Sequence, residues 1–176
     1  MRSSLRLLNK LAIQTGNTFP KVNFKTSSTP TSGSSCKPID YDPSVEWKGK
    51  TVVLFSVPGA FTPTCSEQHV PSFLAKYNEL KAKGADTIAC VTPNDAHVAH
   101  HWGIQQNIGD KVLLLADGNN ELAKALGWEF DLTAHGLGHR IKRGLLVLKD
   151  LKVTHEATES GPGIENTDAQ AALKKL

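Results

Sequence analysis

The chain has 176 residues, of which 39% are hydrophobic and 21% are charged. This size and composition suit one globular domain with its own core and exclude disorder over the full length. Its three cysteines are too few for a disulfide scaffold, and its longest uncharged run, residues 51–66, is shorter than the roughly 20 residues that a membrane span needs.

The net charge of +3 combines two regions of opposite sign. Residues 1–39 hold six of the 20 basic residues and none of the 17 acids, so the remainder is mildly acidic and offers no basic surface for nucleic acid. Residues 1–15 contain Arg2 and Arg6 and no acid, as in a transit peptide; a solvated N-terminus is the alternative interpretation. We therefore predict an extension over 1–15, a domain over 16–176, and a cytoplasmic or mitochondrial location.

A second targeting signal is partly present at the other end of the chain. Residues 174–176 match the peroxisomal Ser-Lys-Leu signal at two of three positions.

The first predicted elements are a loop, a strand and a helix. Residues 26–36 are polar and rich in Ser and Thr, which predicts a loop. The apolar, β-branched run Thr51–Val57 ends at a Pro-Gly pair and predicts a buried strand. Residues 64–67 have the form of a capping box, and an apolar face at helical spacing follows it: Val70, Phe73, Leu74 and Tyr77. Pro71 is expected to kink this helix, and Gly84 to end it.

Strands and helices then alternate to the end of the chain. The predicted elements are strand Thr87–Thr92, a helix from Asn94 or Asp95 to about Asn107, strand Val112–Ala116, helix Glu121–Leu126, a hairpin of Leu145–Lys149 with Val153–His155, and helix Asp168–Leu176. This order predicts the α/β class: a thioredoxin-like fold with a central mixed β-sheet and helices on both faces.

Cys65 is the strongest candidate for chemistry. It lies in the first turn of a predicted helix, where unpaired backbone N–H groups and the helix dipole favour a thiolate over a thiol. Thr62, three residues earlier, brings a hydroxyl within reach of the sulfur. The alternative is a cysteine that packs as a small hydrophobic residue near a helix start.

The histidines on the next helix have the spacing of metal ligands, because His97, His100 and His101 stand three and four residues apart. No further ligand clearly completes a site, so we interpret them as solvated residues of the helix face and predict no metal.

The segment around Cys65 resembles a known active site. Pro58-Gly59-Ala60-Phe61-Thr62-Pro63-Thr64-Cys65-Ser66, followed by His69 and Pro71, resembles that of the peroxiredoxins, and within them the peroxiredoxin-5 (type II) subfamily. Residues 36–41 with Trp47 resemble the N-terminal region of its fungal branch.

The resemblance implies a thiol-dependent peroxidase that reduces hydrogen peroxide and alkyl hydroperoxides and needs no cofactor. Cys65 would attack the peroxide and become a sulfenic acid, Thr62 would hydrogen-bond the sulfur and the peroxide, and Pro58 would shield the pocket. The arginine of the family matches Arg143, and Arg140 is expected on the opposite face of the chain. His69 would either touch the pocket or make a structural hydrogen bond.

Two cysteines compete to resolve the oxidised Cys65. The fungal branch keeps its resolving cysteine where Cys36 lies and forms the disulfide between subunits, which implies a homodimer. Plant relatives use the spacing of Cys90, which here falls in a strand predicted to be buried. The alternatives are that Cys36 is a surface thiol without a function and that Cys90 only packs in the core.

The resemblance also names the reductant and leaves alternatives open. Thioredoxin is expected, with glutaredoxin or glutathione as the alternative. A non-catalytic interaction protein with the same fold would also fit, whereas a disulfide reductase would need a cysteine at Thr62. Gly144 replaces an aromatic residue that relatives usually place after the arginine, so we expect Arg143 to be held less firmly.

Overall fold

The computed structural model describes residues 12–176, so most of the predicted extension over 1–15 lies outside the described residues. The strands are β1 (Phe24–Ser27), β2 (Pro38–Tyr41), β3 (Thr51–Ser56), β4 (Thr87–Thr92), β5 (Leu113–Ala116), β6 (Glu129–Asp131), β7 (His139–Ile141), β8 (Gly144–Lys149) and β9 (Lys152–Thr158). The helices are α1 (Pro43–Glu46), α2 (Val70–Ala75), α3 (Tyr77–Ala82), α4 (Ala96–Gln105), α5 (Glu121–Leu126) and α6 (Ala169–Leu173). A π-helical turn, Cys65–His69, leads directly into α2.

Seven of the strands form one mixed sheet in the order β2-β1-β5-β4-β3-β8-β9. Strands β3, β4 and β5 run parallel, and β8 pairs with β3 in the antiparallel direction. The parallel strands place the loops that follow β3 and β4 at one edge of the sheet, and this edge carries Cys65.

Both faces of the sheet are covered, which confirms the predicted fold class. Side chains alternate along β3: Val53 and Phe55 belong to one apolar cluster, and Val52 and Leu54 to the other. The first cluster includes residues of α2, α4 and α6, and the second includes residues of α5 and of the N-terminal segment. Ile13 is buried in the second cluster, and its N–H donates to the Leu126 carbonyl at 3.1 Å.

The predicted hairpin is confirmed, and its turn explains its register. Asp150 and Leu151 have φ values of 47° and 64°, as a two-residue type I′ turn requires. The flanking residues Lys149 and Lys152 pair directly across β8 and β9.

The predicted loop over residues 26–36 is wrong at its beginning. Thr26 and Ser27 belong to β1, and the Thr26 hydroxyl donates to the Leu114 carbonyl at 2.8 Å. Polar side chains concealed the strand, because β1 has only four residues and pairs along its length with an exposed edge strand, β2. The short elements α1, β2, β6 and β7 were likewise not predicted.

Helix boundaries shift by a few residues. Asp95 caps α4 by accepting from the N–H groups of His97 and Val98, and α6 ends at Leu173. Within residues 12–176, no helix is long and apolar enough to cross a membrane.

Candidate active site

Cys65 follows β3 through a loop that is tied to its neighbour. The N–H of Ala60 donates to Asn94 Oδ1 at 2.8 Å, which joins the loop after β3 to the loop after β4. Both loops follow the carboxyl ends of parallel strands, so they lie side by side. This hydrogen bond helps to hold the loop that leads to Cys65 in position.

The helix that carries Cys65 begins at Pro63, a residue whose fixed φ suits the first helical position. Its first intrahelical bond runs from the Ser66 N–H to the Thr62 carbonyl at 3.0 Å, so the N–H groups of Thr64 and Cys65 precede the bonded ladder. The predicted capping box at residues 64–67 is wrong, because Thr64 makes no capping hydrogen bond with its side chain.

The distortion predicted at Pro71 appears one turn earlier, as the π-helical turn. The Val70 N–H donates to the Cys65 carbonyl, five residues back. Pro71 has no N–H to donate, and its ring would clash with the Glu67 carbonyl in a regular α-helix. The wider turn relieves this clash and leaves Cys65 and His69 both buried.

Arg143 contacts the sulfur directly. Its Nη2 lies 3.4 Å from Cys65 Sγ, and its Nη1 lies 3.1 Å from His69 Nδ1. The guanidinium is buried, and its Nε has no hydrogen-bond partner within residues 12–176. A cation in this position stabilises negative charge on the sulfur.

His69 connects Arg143 to the C-terminal segment. Its Nε2 lies 2.8 Å from the Thr167 carbonyl, and since a carbonyl only accepts, Nε2 must hold the ring proton. Nδ1 is then free to accept from Arg143. Burial lowers the pKa of His69 to about 4, and the nearby Arg143 adds to this effect. The hydrogen bond to the Thr167 carbonyl opposes it only in part. The His69 ring is therefore neutral at pH 7.

The buried, neutral His69 is expected to make the protein less stable in acid. Between pH 6.5 and about 4 the unfolded chain binds a proton that the folded chain excludes, so stability falls as the pH falls through this window. We expect a loss of about 3 kcal/mol from this one residue. Urea unfolding at pH 7 and pH 4.5 checks it: the His69→Gln variant should lose less stability across this interval than the unmodified protein, and an equal loss contradicts the assignment.

Glu159, which was not predicted, closes the network beneath Arg143. Its N–H donates to the Arg143 carbonyl at 3.1 Å, and its carboxylate accepts from the Thr167 hydroxyl at 2.9 Å. Burial raises the pKa of Glu159, but hydrogen bonds from Asn166 and Thr167 outweigh burial and leave the pKa below its ordinary value. The residue is thus an acceptor that orders the segment bonded to His69.

Pro58 lines a cleft beside Arg143, and the Thr62 hydroxyl is hydrogen-bonded within its own loop. It donates its proton to the Gly59 carbonyl at 2.9 Å, so toward the sulfur and its surroundings it can offer only lone pairs. The loop between them is strained at Phe61, whose φ is 61° and whose ring is exposed.

A cleft of about 560 Å³ opens beside Arg143. Cys65 itself is 0% exposed, and the cleft adjoins it through Thr64 and Arg143. The residues that line the cleft are Pro58, Thr64, Phe130, Leu132, Lys142, Arg143, Glu159, Ser160, Gly161 and Pro162.

Arg140 and Arg143 have separate contacts. Arg140 Nη1 donates to the Pro58 carbonyl at 3.1 Å, and its Nε donates to the Leu137 carbonyl at 2.6 Å. Arg143 is therefore the arginine that contacts the Cys65 sulfur, and Arg140 is hydrogen-bonded to the loop that precedes Cys65. This second role could not be predicted from the sequence, because Arg140 lies in β7, and β7 and its partner β6 have only three residues each.

The expectation that Gly144 loosens Arg143 is wrong. A Cβ at Gly144 would lie 2.8 Å from Trp128 Cη2, because the buried Trp128 ring already occupies this space. On the other side, the Ser56 hydroxyl donates to the Lys142 carbonyl at 2.7 Å. The Trp128 ring thus fills the space beside Gly144.

The other two cysteines differ in access. Cys90 is buried in β4, and burial, followed by the proximity of Cys65, raises its pKa well above the ordinary value despite Arg143. Cys36 is partly exposed, and its Sγ lies 3.4 Å from the Ala96 carbonyl at the start of α4. All three cysteines are free thiols.

The interpretation of the α4 histidines as solvated is wrong for His100, which is fully buried between Ser27 and Ser34. His97 and His101 are exposed. Within residues 12–176, no cluster of three or more His, Cys, Asp or Glu side chains could hold a metal ion.

The fold and the site together define a class of protein: a thioredoxin-fold protein with a buried cysteine, in hydrogen-bond contact with an arginine, at the start of a helix. Comparison with known proteins identifies the family. A family model described as Redoxin matches residues 14–173. Peroxiredoxin-2B of Arabidopsis thaliana is 48% identical over 128 residues, which is 73% of this chain and 79% of the relative.

Two further matches agree. Chloroplastic peroxiredoxin-2E of Arabidopsis thaliana is 46% identical over 73% of this chain, although the alignment spans only 56% of that longer relative. The crystal structure of reduced Prx3 in complex with H2O2 from Vibrio vulnificus has a TM-score of 0.84 and 37% identity, covering 92% of this chain and 94% of the other.

The chain belongs to the peroxiredoxins, which are thiol-dependent peroxidases. The matches are consistent with the type II subfamily, and its fungal branch stays a prediction.

Proposed function

We propose that the protein reduces hydrogen peroxide and alkyl hydroperoxides with Cys65 as the attacking residue. The observation that carries this proposal is the 3.4 Å contact between Cys65 Sγ and Arg143 Nη2, at a helix start that opens toward a cleft. A guanidinium and a helix N-terminus both favour the thiolate, which is the nucleophilic form of cysteine.

Three groups around the sulfur are suited to hold the peroxide. The buried Arg143 Nε is a donor without a partner in the described chain, and the N–H groups of Thr64 and Cys65 point out of the helix start. Thr62 Oγ, whose proton is engaged by Gly59, is an acceptor for the O–H of the peroxide. Donors and an acceptor together can orient the O–O bond toward the sulfur.

The reaction is a two-electron transfer from sulfur to the peroxide. The Cys65 thiolate attacks one peroxide oxygen, so that an S–O bond forms while the O–O bond breaks. The second oxygen leaves with the electron pair of the broken bond and takes a proton, giving water or an alcohol. Arg143 stabilises the charge that develops on this leaving oxygen.

The size and the apolar lining of the cleft suit alkyl hydroperoxides as well as hydrogen peroxide. Hydrogen peroxide has only two heavy atoms, and a cleft of about 560 Å³ holds a much larger molecule. Phe130, Leu132 and Pro162 supply apolar surface on its walls, which suits the organic part of a hydroperoxide.

A trapping experiment tests the proposal. After one equivalent of peroxide, the reduced protein is treated with dimedone, which labels sulfenic acids, and the labelled peptide is found by mass spectrometry. We expect the label on Cys65, and a matched sample without peroxide should carry none. A label confined to Cys36 or Cys90 would contradict the assignment.

The oxidised Cys65 is proposed to be resolved by Cys36 of a second copy in a homodimer, and thioredoxin then reduces the disulfide. Two facts support Cys36: it is partly exposed, and it contacts Ala96 after β4, at the same sheet edge as Cys65. Cys90, the alternative, is fully buried. Glutaredoxin or glutathione is the alternative reductant.

Non-reducing electrophoresis after peroxide treatment checks the resolving residue. We expect a covalent dimer in the unmodified protein and in Cys90→Ser, but none in Cys36→Ser. The reverse pattern would assign the step to Cys90.

The domain boundary and the location are proposed from composition. We propose that residues 16–176 form the peroxidase domain, against which Ile13 also packs, and that residues 1–15, with basic residues and no acids, are an extension compatible with a cytoplasmic or mitochondrial location. Imaging of a fluorescent protein fused behind residues 1–15 distinguishes the two compartments.

A further inference from the structure

The segment that carries Cys36 is attached to one stripe of α4. This segment, residues 28–37, links β1 to β2, and most of it is exposed. It contacts the helix at Ala96, His100 and Gly103, which are spaced i, i+4 and i+7 and therefore lie along one face.

His100 makes the central contact. Its ring is fully buried, with Nδ1 2.9 Å from Ser27 Oγ and Nε2 3.1 Å from Ser34 Oγ. The Ser34 hydroxyl donates its only proton to the Thr31 carbonyl at 2.6 Å, so Nε2–H of His100 must donate to Ser34. Both ring nitrogens thus contact serines of the polar stretch, one at its start and one near its end.

The two outer contacts are weaker and need the helix close by. Pro30 packs on Gly103, where a Cβ would lie 2.7 Å from Pro30 Cγ. The Cys36 thiol donates to the Ala96 carbonyl at 3.4 Å. A residue larger than glycine at 103 would push the segment away, whereas the observed sequence lets it dock.

The docked position disfavours the thiolate form of Cys36. Its hydrogen is engaged by a carbonyl, and burial, followed by the nearby Asp95, raises its pKa above the ordinary value. Resolution needs the thiolate, free to approach another sulfur. The docked segment is therefore a resting arrangement that must open before Cys36 can react.

We propose that His100 is a positioning residue that clasps the Cys36 segment onto α4, so that opening of this clasp sets the rate at which oxidised Cys65 is resolved. The proposal rests on the proposed role of Cys36. In the step it controls, Cys36 sulfur attacks the Cys65 sulfenic acid, an S–S bond forms as the S–O bond breaks, and the hydroxyl leaves as water with the thiol proton. Cys36 is oxidised and Cys65 is reduced.

Two variants open the clasp in different ways. His100→Leu fills the buried site without hydrogen bonds, and Ser34→Ala removes the bond to His100 together with the two bonds that Ser34 Oγ makes with Thr31, while the core stays intact. His97→Leu is the matched control, because His97 is on the same helix but exposed. Cys36→Ser tests the underlying role of Cys36.

Each reduced protein is mixed with hydrogen peroxide, quenched with an alkylating agent at intervals, and analysed for disulfide on non-reducing gels. We expect disulfide to form at least about threefold faster in both clasp variants, because each loses two or more hydrogen bonds that hold the segment and the net loss of even one is worth about threefold to tenfold. Hydrogen exchange of residues 28–37 should accelerate in the same variants, and His97→Leu should match the unmodified protein in both measurements.

The outcomes separate the two levels of the proposal. If Cys36→Ser abolishes the disulfide while both clasp variants form it at the unmodified rate or more slowly, the clasp is wrong and the role of Cys36 stands. If Cys36→Ser still forms the disulfide, the role of Cys36 is wrong and the clasp falls with it. Unchanged exchange of residues 28–37 in His100→Leu also overturns the clasp.

Discussion

The Cys65→Ser protein is expected to lose peroxide consumption almost completely. A serine hydroxyl keeps the shape of the side chain but is a much weaker nucleophile than a cysteine, and oxygen cannot cycle through a sulfenic acid. The rate constant for peroxide consumption should fall by at least about a thousandfold, the scale seen when a nucleophile is removed from an enzyme. Stopped-flow measurement of peroxide loss with excess reductant checks this result.

Cys36→Ser is the informative control for this experiment. It removes a thiol that is outside the cleft, so the first oxidation of Cys65 should proceed at the unmodified rate while turnover with thioredoxin fails. A Cys65→Ser protein that consumed peroxide at the unmodified rate would end the proposed function.

The Arg143→Met substitution is expected to have the second largest effect. Methionine fills much of the buried space, but it gives up the Nη2 contact to Cys65 at 3.4 Å and the Nη1 contact to His69 at 3.1 Å. The second-order rate constant for oxidation of Cys65 should fall by about a hundredfold to a thousandfold, as when one preorganised donor to a developing charge is lost.

Arg140→Met is the matched control, since the same substitution three residues earlier removes only bonds to the Pro58 and Leu137 carbonyls. Its effect on the same rate constant should be less than about tenfold, because it acts through the position of a loop. Equal losses in the two variants would contradict the assignment of Arg143 to the reacting sulfur.

Local patterns in the sequence predicted the central sheet and the position of Cys65. Thr51–Val57 and Thr87–Thr92 are uninterrupted apolar runs between clear turn residues, and such runs have few structural alternatives. The spacing of Pro58, Thr62 and Cys65 is local too, so the turn from β3 into the helix followed from the motif.

Contacts between distant parts of the chain were not available from local patterns. Arg143 lies 78 residues from Cys65 and was found through the family resemblance alone. The hydrogen bond from His69 to Thr167 spans 98 residues, and nothing near either residue indicates it. The sequence predicts a surface position for His100, because its partners, Ser27 and Ser34, lie in a polar stretch without the apolar residues that would indicate packing on α4.

The π-helical turn, residues 65–69, would become longer if it unwound, and it carries the cysteine that must reach another thiol. Cys65 is completely enclosed, so contact between its sulfur and a thiol of another chain needs movement of this turn in addition to opening of the Cys36 segment. Extending residues 65–69 from helical rise to strand rise lengthens the path by about 9 Å. Because the turn is wide and followed by a proline, it can unwind ahead of α2, delivering the oxidised sulfur to the surface while the sheet beneath stays assembled.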